Sequence, residues 1–163
     1  MAEFKQINVA VIGAGWVGGI RANACAHHAI VDELHIAEID PKRQTEIIAE
    51  TEPTSVTDDW RTLVDNDTID AVIIAMTPET ARFPIVMAAL EAGKHVFVEK
   101  PIAPSIPEAE QAYALAEKNN LKLSIGYSRR FDPRYVYVRK ALQDGTIGDP
   151  VTVLISRHST REL

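Results

Sequence analysis

The sequence predicts an α/β protein in which helices cover both faces of a doubly wound parallel sheet. Three observations support this fold class. Short, β-branched and almost wholly apolar segments recur along the chain, each is followed by a segment with helical character, and a glycine-rich turn follows the first of them. Strands that are buried on both faces have continuous apolar runs of this kind. Their alternation with helices is typical of parallel strands joined by right-handed crossovers.

The individual elements follow from apolar runs and from the residues that begin and end helices. Strands are expected at residues 7–12, 34–39, 54–57, 71–76, 95–98 and 121–125. Helices are expected at residues 16–28, 41–50, 60–64, 80–92 and 105–118. Asp40-Pro41 is typical of an N-cap followed by proline at the first helical position. Ser105 to Glu108 has the pattern of a capping box, and Gly93 stands where a left-handed helix end is needed.

The pattern changes after residue 126. Residues 127–131 form a polar loop, Asp132-Pro133 begins another helix that ends near residue 145, and residues 151–155 are expected to be a strand of a different sheet. We therefore assign residues 1–126 to one domain and residues 127–163 to the short start of a second α/β domain. A segment this short is too small to be stable alone. An unpaired strand invites pairing with another chain, and we expect a homo-oligomer.

Composition excludes several classes of protein. The chain has 163 residues, 46% of them apolar and 25% charged, which is ordinary for a soluble globular domain. Its net charge of −6 provides no basic face for nucleic acid. No apolar run is long enough to span a membrane, and the N-terminus lacks the pattern of a signal peptide. Cys25 is the only cysteine, so we expect no internal disulfide and a cytoplasmic protein. We expect Cys25 itself to be a core residue.

The main binding motif is Gly13-Ala14-Gly15-Trp16-Val17-Gly18, with the pattern G-x-G-x-x-G. It follows a predicted strand and opens a helix, the context in which this motif is specific for dinucleotides. Gly13 permits the tight turn, Gly15 lets a pyrophosphate approach the backbone, and Gly18 lets the helix pack close to the strand. The helix N-terminus offers N–H groups to the phosphates. The alternative is an ordinary turn without a ligand.

Glu38 lies 20 residues beyond Gly18, at the end of the second predicted strand. A carboxylate there accepts hydrogen bonds from ribose hydroxyls and repels a 2′-phosphate. This predicts a preference for NAD over NADP of about ten- to a hundredfold. Because Lys42 or Arg43 could bind a phosphate, NADP stays open. The alternatives are that Glu38 is a solvated strand end and that nearby Asp40 is only an N-cap.

Other polar residues stand at the carboxyl ends of later predicted strands, where doubly wound sheets bind their ligands. They are Thr77-Pro78, Glu99-Lys100-Pro101 and residues 127–130. Lys100 could lie beside a nicotinamide and bind a substrate hydroxyl, a position suited to proton transfer. The alternative for Lys100 is a surface pair with Glu99.

Residues 89–101, with the sequence ALEAGKHVFVEKP, strongly resemble the Gfo/Idh/MocA oxidoreductase family. That family includes glucose–fructose oxidoreductase and inositol dehydrogenase. The resemblance covers the whole chain and includes the glycine motif, residues 69–75 before Thr77-Pro78, residues 130–133 and residues 147–150. It implies an N-terminal NAD(P)-binding Rossmann domain. An open-sheet α/β domain with the substrate pocket and most oligomer contacts would follow.

The resemblance also implies roles for individual residues. Lys100 would be the substrate-binding and catalytic lysine, Glu99 would help to hold it, and Pro101 would follow a cis peptide bond. Cofactor contacts are expected at the glycine motif, Glu38, Thr77, Pro78, Glu99, Lys100 and Arg130. The implied reaction is reversible hydride transfer between NAD(H) and a hydroxyl-bearing carbon of a sugar, cyclitol or related polyol. The histidines lack metal-ligand spacing, so no metal site is expected.

The sequence departs from the family pattern in two places. Arg82 stands where the family commonly has a histidine, four residues after the Thr-Pro proline. The family's downstream Asp and His have no counterpart before Leu163, and His158 does not match them. We therefore expect this chain to bind dinucleotide without turning over substrate.

Two other classes of protein share these features. One is a non-catalytic dinucleotide sensor or regulator, because the fold does not fix the function. The other is an interaction module that docks through residues 151–155. Lys100 favours the enzyme over the regulator, and the intact glycine motif argues against the module.

Overall fold

The computed structural model describes residues 5–156, and these contain one six-stranded parallel sheet. Its strands are β1 (Ile7–Ile12), β2 (Val31–Ala37), β3 (Ser55–Thr57), β4 (Ala71–Ile74), β5 (His95–Val98) and β6 (Leu123–Ile125). They lie in the order β3-β2-β1-β4-β5-β6, and every neighbouring pair is parallel. The order reverses between β1 and β4, so the predicted doubly wound fold is confirmed. Such a reversal opens a ligand crevice at the carboxyl ends of the strands.

Helices cover both faces of the sheet. They are α1 (Trp16–Ala26), α2 (Pro41–Thr51), α3 (Arg61–Val64), α4 (Arg82–Glu91) and α5 (Ile106–Lys118). Side chains of α1 and α2 share one apolar cluster with Val11 of β1, whereas α3, α4 and α5 share the other with Ala10 and Ile12. Successive strand residues point to opposite faces, so β1 contributes to both clusters. Its four residues 9–12 are all buried.

The predicted helix signals act as expected. The Asp40 carboxylate accepts a hydrogen bond from the backbone N–H of Lys42 at the start of α2. At α5, the Ser105 hydroxyl accepts from the backbone N–H of Glu108 and donates to the Glu108 carboxylate. Gly93 has a φ of 75°, which a glycine adopts without strain. These caps fix where the crossovers enter and leave the sheet.

Several element boundaries differ from the prediction by one to three residues, and two of the differences have a clear local cause. Strand β2 begins at Val31, three residues before the predicted start. The prediction missed these residues because Asp32 and Glu33 interrupt the apolar run. The helix predicted at residues 80–92 is divided into a 3₁₀ turn, Glu79–Ala81, and α4. Pro84 has no N–H with which to bond the carbonyl of Thr80, so regular α-helical bonding cannot start that early.

The chain divides into two units, residues 1–126 and residues 127–163. The described part of the second unit contains a 3₁₀ turn, Ser128–Phe131, and α6 (Pro133–Gln143). The Asp132 side chain caps α6 by accepting from the backbone N–H of Arg134. Hydrogen bonds from Arg134 lower the pKa of Asp132 to about 2.

The strand expected at residues 151–155 is wrong, because residues 151–156 have no regular secondary structure and are exposed. A strand requires a neighbouring strand for its hydrogen bonds, and none of the strands within residues 5–156 pairs with residues 151–155. His158, which the sequence placed just after this segment, lies outside the described residues. Within residues 5–156, no helix has the length and apolar character needed to cross a membrane.

Candidate functional site

The glycine loop between β1 and α1 begins and ends with residues that only glycine can occupy. Gly13 has a φ of 84°, and a Cβ added there would lie 2.5 Å from the Cα of Met76. A Cβ at Gly18 would lie 1.8 Å from the carbonyl oxygen of Gly13. Gly13 lies against Met76, just beyond β4, and Gly18 of α1 lies against Gly13, so the packing of the chain accounts for both glycines. No ligand is needed to explain them.

Gly15 is different, because the folded chain itself does not require a glycine there. Its φ is −58°, and a Cβ added to it would meet no atom within 4 Å. The open space in front of Gly15 is where a pyrophosphate would approach the backbone. Gly15 also precedes α1, which has neither a side-chain cap nor an acidic residue in its first turn. The first N–H groups of a helix have no partners within it, so this helix end fits an anionic group.

Glu38 adjoins the glycine loop. One oxygen of its carboxylate, Oε2, accepts a hydrogen bond from the backbone N–H of Ala14 at 2.7 Å. The other, Oε1, accepts from the N–H groups of Ile39 and Asp40 at 2.8 and 3.0 Å. The carboxylate is therefore fixed between the loop and the end of β2, instead of being freely solvated.

Arg43 of α2 holds the same loop from the other side. Its Nε donates to the carbonyl oxygen of Ala14 at 2.6 Å, and its remaining donors bind the carboxylates of Glu46 and Glu50. The hydrogen bond to Glu50 is the main reason why the pKa of Arg43 is raised. The sequence offered Lys42 and Arg43 as ligands for a 2′-phosphate. The guanidinium of Arg43 already binds two carboxylates. Glutamates three and seven residues further along α2 were the sequence signal for this arrangement.

A cleft of about 530 Å³ runs along the carboxyl ends of the strands. It brings together most of the residues predicted for the site: Gly13, Gly15, Trp16, Val17, Glu38, Thr77, Glu99 and Lys100. Of the other loop residues, Ala14 and Gly18 are buried, and Pro78 follows Thr77 through a cis peptide bond. Trp16 and Ile39 line the cleft with side chains that are 86% and 80% exposed. Exposed apolar side chains in a cleft are typical of a binding site.

Glu99, at the far end of the cleft, is buried and pairs with Arg21 of α1. Arg21 donates from Nη2 at 2.6 Å and from Nε at 3.0 Å, and its guanidinium lies over the ring of Phe97. The alternative of a surface pair between Lys100 and Glu99 is therefore wrong. Lys100 itself is exposed, and its peptide bond to Pro101 is cis, as the resemblance implied.

Two further arginines are relevant to the site, one that lines the cleft and one that was predicted to contact the cofactor. Arg82, noted in the sequence only as a departure from the family pattern, is 4% exposed and lines the cleft. It donates hydrogen bonds to backbone carbonyls of Met76, Glu99 and Lys100. Arg130, a predicted cofactor contact, lies in the 3₁₀ turn of the second unit. Its role therefore stays a prediction.

Residues 7–127 match the model of the oxidoreductase family GFO_IDH_MocA, described as an NAD-binding Rossmann fold. The chain belongs to this family. It is 32% identical, over 151 residues, to an inositol 2-dehydrogenase of Rubrobacter xylanophilus, an alignment that covers 91% of this chain and 43% of that protein. It is 31% identical, over 156 residues, to a levoglucosan dehydrogenase of Pseudarthrobacter phenanthrenivorans, covering 88% of this chain and 39% of that one.

A solved structure shows the same similarity in three dimensions. The scyllo-inositol dehydrogenase from Lactobacillus casei, with bound NAD(H) and scyllo-inositol, superposes with a TM-score of 0.81 and 32% sequence identity. The match covers 89% of this chain and 43% of that one. This chain thus spans less than half the length of the relatives that it matches.

Proposed function

We propose that this chain binds NAD and forms the cofactor-binding part of a dehydrogenase that acts on inositol or a related polyol or sugar. The observation that carries the proposal is the glycine at position 15. The fold explains Gly13 and Gly18 but gives no reason for Gly15, which faces open space at an uncapped helix N-terminus. A pyrophosphate held against the backbone supplies that reason.

The residues of the cleft divide into groups that fit successive parts of the dinucleotide. The glycine loop and the start of α1 would hold the pyrophosphate, and Glu38 would accept hydrogen bonds from the adenosine ribose. Thr77, Pro78, Glu99 and Lys100 stand at the ends of β4 and β5, where the nicotinamide half would lie. Bound NAD supplies the hydride acceptor, whereas the protein binds and orients the reactants.

Lys100 is the proposed catalytic residue. It is exposed and lines the cleft at the end of β5, where it could bind a substrate hydroxyl and transfer its proton. Glu99 would act on it only indirectly, through the backbone, because its carboxylate is held by Arg21. Arg130 would be a further residue in contact with the cofactor.

The wider setting of the site is also part of the proposal. Relatives named as inositol and levoglucosan dehydrogenases support a polyol or sugar substrate in preference to a regulator without chemistry. We assign residues 1–126 to the dinucleotide-binding domain and residues 127–163 to the start of a substrate and oligomerisation domain. Exposed apolar side chains at residues 151–155 support a homo-oligomer. A single free cysteine agrees with the cytoplasm.

The test of cofactor binding is a calorimetric titration of this chain with NADH, repeated with Gly15→Ala and Gly15→Val. The Cβ of either side chain would have no other protein atom within 4 Å, so thermal unfolding should change little. Affinity for NADH should fall by about tenfold or more, and further for valine than for alanine. Ala26→Val, at the exposed end of α1, is the matched control and should bind NADH as the unmodified chain does. Unchanged affinity in both Gly15 variants would contradict the proposal.

A further inference from the structure

Arg82 is the first residue of α4, and its guanidinium joins the ends of two neighbouring strands. Its Nε donates to the carbonyl oxygen of Met76, beyond β4, at 2.8 Å. Its Nη1 donates to the carbonyl oxygen of Lys100, beyond β5, at 2.8 Å, and lies 3.4 Å from that of Glu99. The Arg82 side chain thus binds the backbone segments that follow β4 and β5, at the far end of the cleft.

Burial makes this arrangement unusual for an arginine. The residue is 4% exposed, and among the ion pairs of residues 5–156 none involves Arg82. A charge that is taken out of water is costly unless polar groups hold it. Here the partners are backbone carbonyls, and all of them belong to the segments that carry Thr77 and Lys100. An apolar side chain could fill the same volume without that cost, so packing alone does not explain the arginine.

We propose that Arg82 is a positioning residue for the nicotinamide end of the cleft. Guanidinium donors have a fixed planar geometry, so contacts with both strand ends set the distance between them and the orientation of the Lys100 peptide. Lys100 is thereby presented to the cleft in one direction. This inference rests on the proposed function, because it assigns the far end of the cleft to the half of NAD that the glycine loop and Glu38 do not bind.

The decisive comparison uses two ligands that share the adenosine and pyrophosphate but differ in the nicotinamide. This chain and its Arg82→Met and Arg82→Lys variants are titrated with NADH and with ADP-ribose. Arg82→Met should lower the affinity for NADH about tenfold, the effect of losing a well-placed hydrogen bond, and change that for ADP-ribose less than about twofold. Arg82→Lys keeps the charge and one donor group. Its ratio of NADH affinity to ADP-ribose affinity should lie between the ratios of the unmodified chain and of Arg82→Met.

A purely structural role for Arg82 predicts something different, namely equal losses for both ligands. Equal losses, or an NADH affinity that neither substitution changes, would overturn the inference. If Arg82→Met does not fold, the ratio of affinities in Arg82→Lys decides alone: a lowered ratio supports the inference, and an unchanged ratio overturns it. Arg139→Met, in α6 and exposed, is the control for loss of an arginine. Failure of the unmodified chain to bind either ligand would instead refute the proposed function, and the inference with it.

Discussion

The Glu38 carboxylate accepts a hydrogen bond from the backbone N–H of Ala14, with 2.7 Å between Oε2 and the nitrogen. This bond joins the two features from which the sequence predicted a dinucleotide site, the glycine loop and the acidic end of β2. The carboxylate is also held by two N–H groups of its own strand end. Its position is therefore set before any ligand arrives, and the entropy lost by ordering it on binding is small.

Replacing Glu38 should change cofactor preference. Glu38→Gln keeps one oxygen that can accept from Ala14, exchanges the oxygen that accepts from Ile39 and Asp40 for an NH2 group, and removes the negative charge that would repel a 2′-phosphate. We expect NADH affinity to fall about tenfold and the preference over NADPH to narrow by a similar factor. Calorimetric titration with both cofactors measures this. Glu110→Gln, an exposed carboxylate on α5, removes the same charge and should leave the preference unaltered. An unchanged preference in Glu38→Gln would mean that Glu38 does not face the ribose.

Arg43 should support the glycine loop without selecting a phosphate. Arg43→Met removes the hydrogen bond to the Ala14 carbonyl, and we expect the free energy of unfolding to fall by about 1–2 kcal/mol. The pairs with Glu46 and Glu50 are partly exposed and should contribute little of this. Urea denaturation gives the stability, and titrations give the affinities for NADH and NADPH. Both affinities should fall alike; a loss confined to NADPH would show that Arg43 binds a 2′-phosphate.

The sheet could be predicted closely because its strands are apolar on both faces, which makes each a continuous run in the sequence. β5, for example, has the predicted bounds, residues 95–98. Strand bounds were predicted least well where a strand carries polar side chains or is only partly buried, as at Asp32 and Glu33 in β2. The segment 151–155 has a strand-like sequence but no strand neighbour among the described residues. Whether such a segment forms a strand depends on a neighbouring strand, which the local sequence pattern does not reveal.

The part of the site made by backbone was also predictable, since a glycine motif specifies the turn that it forms. The contacts of Arg21 and Arg82 were not. Both depend on which residues the sheet brings together across long stretches of sequence, 78 positions between Arg21 and Glu99 and 18 between Arg82 and Lys100. An arginine on a helix gives no local sign of a buried partner. The substitution of Arg82 for the family's histidine was the only available signal.

The Arg21–Glu99 pair should show strong energetic coupling. Glu99 is buried, so removing Arg21 leaves a carboxylate without its partner, and Arg21→Met should cost about 2–4 kcal/mol of unfolding free energy. Glu99→Gln should cost somewhat less, because the amide still accepts one bond. The double variant should be more stable than the sum of the two losses by about 1–3 kcal/mol. A double-mutant cycle in urea measures this. Additive losses would mean that the two side chains stabilise the fold independently.

Cys25 should make stability fall at alkaline pH. It lies on α1, partly buried against the cluster around Val11, and this burial raises the pKa of its thiol above the ordinary value. The unfolded chain therefore loses the thiol proton at a lower pH than the folded chain. Stability is unaffected below the unfolded pKa and decreases as pH rises above about 8.5. Thermal unfolding of the chain and of Cys25→Ala should thus converge with rising pH if the alanine variant starts less stable. A constant difference between the two across that range would show that the thiol titrates alike in both states.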